Sequence, residues 1–119
     1  MNTTEGNKLI AEFMGVKFKD DEQYIKELRE MRSEGIYFEQ GYMSSELNYH
    51  SSWDWLMPVV EKIERLGFTF EKNYQRIDGD WQSLIVKGND ILFQEFNVDS
   101  LLSTHYVVLE FIQWYNENK

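Results

Sequence analysis

His50 and Asp54 are the best-placed pair in this chain for acid–base chemistry. They stand four residues apart, with His50 just ahead of a helix whose first turn contains Asp54. A general base needs a pKa near the working pH, a reachable proton and a pocket. The spacing supplies only proximity, and the plainer alternative is that both residues brace the start of the helix. His105 falls on the apolar side of the last helix and reads as a core histidine with its hydrogen bonds satisfied. Two histidines without a cysteine leave no zinc spacing. The run Asp78-Gly79-Asp80 opens like a calcium loop, but Trp81, Leu84 and Ile85 stand where further oxygen ligands would be needed, so it reads as a turn. G-x-x-x-x-G-K, G-x-G-x-x-G and G-x-S-x-G are all missing. Phosphate and acyl chemistry therefore lack support, and the sequence leads us to expect no catalytic residue, no cofactor and no metal.

The same region holds two tryptophans two residues apart, in YHSSWDWLMPVVEKIERLGF from Tyr49 to Phe68. On a helix such residues diverge by about 200°. Trp53, in line with Leu56, Met57 and Val60, is expected in the core. Trp55 is expected across the edge of a sheet or partly exposed, where a tryptophan near a helix start can anchor an interface. The alternative cover for it is the segment IYFEQGY, residues 36–42, which carries Tyr37 and Tyr42. His50, Asp54, Trp55, Tyr37 and Tyr42 are thus the candidate partner-binding residues.

The elements that must position them follow from periodicity. Asn7–Met14 reads as a helix ended by Gly15, and DDEQYIKELREMRSEG as a surface helix capped by Asp20 or Asp21 and stopped by Gly35, whose acids precede its bases, with Tyr24 or Ile25, Leu28 and Met31 as a narrow apolar stripe. Ile36–Glu46 reads as a short extended piece with a turn at Gly41, either an edge strand or an ordered loop. Ser51 or Ser52 can cap the tryptophan helix, whose Leu56, Val59, Val60 and Ile63 recur at three and four residues. Pro58 should bend or loosen its first turn, and Gly67 should close it.

From Phe68 the period changes to two. Asp78-Gly79 predicts a tight hairpin, Trp81–Val86 a strand, Gly88-Asn89 a second turn and Ile91–Val98 a third strand. A largely buried helix starts at Asp99 or Ser100. The order predicts a single α+β domain over residues 1–119, a three-stranded antiparallel meander with helices packed on one face.

At 119 residues the chain can bury a proper core, and 42% hydrophobic with 28% charged residues is a globular composition. The net charge of −9 disfavours direct binding to nucleic-acid backbones. It leaves two readings, an ordinary acidic surface or mimicry of a nucleic acid in another protein's basic groove. There is no cysteine, no basic leader with a long apolar run and no membrane-length apolar stretch, so a cytoplasmic location is expected.

KLIAEFMG near the start, YHSSWDWLMPVVEKIE in the centre and VVLEFIQWYN at the end together resemble a family of small phage and prophage proteins of the Bacteroidetes lineage. The resemblance carries no catalytic residue with it. It implies a phage or prophage accessory protein in the host cytoplasm. Taken with the acidity, small size and missing catalytic motifs, it leads us to expect action by binding a host or phage protein, in its sharpest form inhibiting a host defence protein. The alternatives are a minor virion or assembly component, and a small ligand-binding domain or enzyme that uses His50 and Asp54.

Overall fold

A computed structural model describes residues 1–34 and 41–119, which divide into two compact units, Met1–Leu47 and Asn48–Lys119. In the first unit, the Asn2 side chain accepts a hydrogen bond from the Glu5 backbone N–H at 2.8 Å. That cap starts α1 (Thr3–Met14) one turn earlier than the apolar spacing marks. Gly15, at φ 72°, ends it as predicted. Next come β1 (Phe18–Lys19), α2 (Asp21–Glu34), β2 (Tyr42–Met43) and a 3-10 turn over Ser44–Glu46. β1 and β2 pair in parallel, Phe18 opposite Tyr42. On α2 the stripe resolves to Tyr24, Leu28 and Met31, all half-buried, while Ile25 is exposed.

Side-chain bonds bind this unit together. Asp21 accepts from the Ser44 hydroxyl and the Ser45 N–H, each at 3.2 Å, and bonds from Ser45 and then Ser44 hold its carboxyl below the usual range. Lys19 pairs with Glu27, and Lys8 lies 2.5 Å from Asp20. Buried Asn7 donates to the Leu47 carbonyl at 2.8 Å. Asn7→Ala would leave that buried carbonyl without this donor, a loss of about 1–3 kcal/mol, which a shift of the urea midpoint at unchanged m would report.

In the second unit, α3 (Trp53–Arg65) precedes β3 (Thr69–Gln75), β4 (Asp80–Lys87) and β5 (Asp90–Asn97), and α4 (Ser100–Asn118) follows them. The strands form an antiparallel sheet in the order β3-β4-β5. Alternation puts Phe70, Ile85 and Phe93 in one row and Lys72, Ser83 and Glu95 in the next, on the face that α3 and α4 cover. Leu56, Val59, Val60 and Ile63 of α3 are buried, as are Val107, Val108, Phe111 and Ile112 of α4. This is the α+β meander with helices on one face that the periodicity predicts.

Ser83 meets Ser103 at 2.8 Å and Thr104 at 3.2 Å. Ser103 and Thr104 both also donate to the Ser100 carbonyl, so the single Ser83 proton serves one of these two oxygens at a time in this buried seam between sheet and α4. Asp99 caps α4 by accepting from Leu101 and Leu102. Ser52 occupies the cap position of α3 through its carbonyl alone, and its side chain makes no capping bond.

The first hairpin differs from expectation. Asp78-Gly79 belongs to a four-residue turn, 76–79, closed by the Gly79 N–H on the Gln75 carbonyl at 2.8 Å. Asp80 pairs with Gln75 and lengthens β4, while Gly79 supplies the left-handed position at φ 72°. The second turn is the expected two-residue Gly88-Asn89. A register shift at Ile85/Val86 leaves Leu92 as the extra residue on β5.

Candidate functional site

His50 lies in the turn before α3, half-buried, and the ring of His105 on α4 faces it at 6.4 Å between centroids. His105 is only 3% exposed. Burial, and then the nearby His50, push its pKa down to about 4. At neutral pH it is an uncharged imidazole and a weak base, suited to packing rather than to proton transfer. Asp54 is exposed in the first turn of α3, where its charge complements the helix dipole.

Trp55 is partly exposed, as expected, but Trp53 is not its fully buried counterpart. Both are half-buried. Trp55 packs edge-on against buried Tyr49 at 5.2 Å. Trp53 lies outside the core, with the Lys72 ammonium 4.6 Å from its ring and 5.3 Å from that of Trp81. Tyr74, on the same sheet face, leans on Trp81 at 5.1 Å.

Tyr37, like Gly35, lies outside the described residues. Tyr42 is exposed and lines a cavity of about 390 Å3 with Tyr24, Gly41 and Glu46. Glu46 already accepts the Met43 N–H at 2.8 Å. Tyr42 belongs to the first unit and His50, Asp54 and Trp55 to the second.

What the sequence reading left open is the edge that β5 presents. As the last strand in the sheet order it leaves one backbone edge unpaired among the described residues. Ile91 is 54% exposed, Phe96 50% and Val98, just beyond the strand, 75%. The opposite face of the sheet carries buried Leu84 beside a run of amides, in which Gln75 donates to Gln82 at 3.2 Å and Gln82 to Gln94 at 2.9 Å. The available signal was ILFQEFN itself, which places aromatics on both phases of the alternation, Phe93 inward and Phe96 outward.

Glu95 shares a hydrogen bond with Glu110 of α4. Burial, then the bond and charge of Glu95, raise the Glu110 pKa to about 7. Its folded value lies above its unfolded one, so stability present below about pH 4.5 falls as pH rises through 7. Glu110→Gln should therefore raise stability at pH 8 by about 1–2 kcal/mol, allowing for screening at a partly exposed site, and change nothing of this kind at pH 4. Urea titrations at the two pH values check it, and an equal effect at both would contradict it.

Among the described residues no group of three or more histidines or carboxylates could hold a metal, and no helix is long and apolar enough to cross a membrane. No family model, no curated protein and no solved structure matches the chain.

Proposed function

We propose that this chain is an accessory protein of a phage or prophage that acts by binding another protein, in its sharpest form a host defence protein that it inhibits. The observation that carries the binding reading is the row of exposed apolar side chains, Ile91, Phe96 and Val98, along and just beyond an edge strand. Large apolar residues gathered at one edge favour a partner surface over solvent. The three-motif resemblance supports the phage setting, and the acidity of −9 suits a basic partner surface, including a groove made for nucleic acid.

The test is affinity capture by tagged protein from lysate of a Bacteroidetes host, washed at low and high salt, beside the double variant Phe96→Ser/Val98→Ser. One dominant protein held by the parent chain and lost by the variant supports the proposal. Equal recovery by both, or an empty capture from both uninfected and infected lysate, sinks it.

A further inference from the structure

We propose that the open edge of β5 receives an extended segment of a partner protein, alternating apolar with lysine or arginine side chains, as a fourth strand of the sheet. This rests on the protein-binding reading above and names the chemistry of the partner. Strand addition uses backbone hydrogen bonds for affinity and alternate side chains for selectivity.

The sheet has two edges, and they differ. β3 exposes Thr69, Glu71, Lys72 and Asn73, polar residues of mixed charge, with Tyr74 as its one exposed large hydrophobic side chain. β5 offers Ile91, Leu92 and Phe96, with Val98 beyond them. Between Asn89 and Asp99 the only charged residues are Asp90, Glu95 and Asp99, all acidic. A second copy pairing here would bring carboxylates against carboxylates, which opposes self-association. An inward-pointing charge and a bulge are common guards on edge strands, and β5 has both, in Glu95 and at Leu92. The charge that repels a copy attracts a basic strand.

Glu95 also specifies where a cation would sit. It lies at the end of the row Lys72-Ser83-Glu95, on the helix-covered face, with Glu110 of α4 hydrogen-bonded to it. Among the described residues no ion pair reaches either carboxylate. Lys72, the cation of that row, is two strands away and lies over the rings of Trp53 and Trp81. A lysine or arginine on an added strand, opposite Glu95, would take the place of the proton that the two carboxyls share. Because Glu110 ionises near pH 7, such binding should tighten from pH 6 to pH 8.

The experiment uses the intact chain and two labelled synthetic decapeptides, one alternating valine with lysine and one alternating valine with glutamate. Anisotropy gives affinity, and amide exchange read by NMR gives the location. The expected result is binding of the lysine peptide alone, with added protection confined to β5. Affinity should fall at least tenfold between 50 and 500 mM salt and at least fivefold in Glu95→Gln/Glu110→Gln, and the tightening with pH should be absent from Glu110→Gln. Equal binding of both peptides, protection elsewhere, or no binding of the lysine peptide at 1 mM would overturn the proposal. So would a concentration-dependent dimer, seen by sedimentation, that protects β5, since the occupant would then be a second copy. A lysate partner that depends on Phe96 and Val98 but not on Glu95 and Glu110 would overturn this inference while leaving the protein-binding reading intact.

Discussion

Phe111→Ala should lower the unfolding free energy by about 3–5 kcal/mol, the range for emptying a large buried aromatic site. Phe111 is fully buried on α4. Its ring meets Phe68 at 4.8 Å, Tyr115 at 5.7 Å, Trp114 at 6.0 Å and Phe93 at 6.4 Å. These neighbours come from α4, the residue just before β3, and β5, so a void here loosens the docking of the helix on the sheet as well as removing transfer energy. Phe111→Leu keeps most of the volume and should cost about 1–2 kcal/mol. Urea denaturation followed by far-UV circular dichroism measures both. A loss below about 1 kcal/mol for the alanine variant would place the main core elsewhere.

The second large effect is the acid sensitivity that His105 confers. Its pKa falls from the ordinary 6.5 to about 4 on folding. Below pH 6.5 the unfolded chain takes up a proton that the folded chain refuses, so stability present above 6.5 is lost as pH falls through 4. The full difference amounts to about 3 kcal/mol. The measurement is the stability of the parent chain minus that of His105→Gln, which does not titrate here, at pH 7, 6, 5 and 4. That difference should shift against the parent by about 2–3 kcal/mol from pH 7 to pH 4. A constant difference would mean that His105 is open to water and protonates normally.

The elements were legible where local chemistry is decisive. Asp99 marked the start of α4, and Gly15 marked the end of α1. Alternation marked the strands, and Leu56, Val59, Val60 and Ile63 the buried side of α3. The failures have tertiary causes. Helical geometry separates Trp53 from Trp55, but Lys72 on β3 and Tyr49 before the helix decide what each one touches. The length of the turn at Asp78-Gly79 depends on whether Asp80 joins the ladder, which the dipeptide cannot report.

The candidate site was less legible still. His50 drew attention through Asp54, its near neighbour in sequence, whereas the ring facing it belongs to distant His105. Glu95 and Glu110 come together only through the register of α4 on β5. The exposed edge could be suspected from Phe96 on the outward phase, yet whether a strand stands last in a sheet is a property of topology.

His105 and Glu110 occupy one helix, and burial moves their titrations in opposite directions. Between about pH 4.5 and 6.5 the folded chain keeps a proton on Glu110 and none on His105, while the unfolded chain does the reverse. Unfolding in that window hands a proton from the acid to the imidazole and draws none from the buffer, as far as these two groups are concerned. Since the pH slope of stability counts only the protons exchanged with solvent, their contributions cancel there. α4 thus works as an internal proton ledger that flattens the stability curve across mildly acidic conditions, and replacing either residue alone should tilt it, in opposite directions.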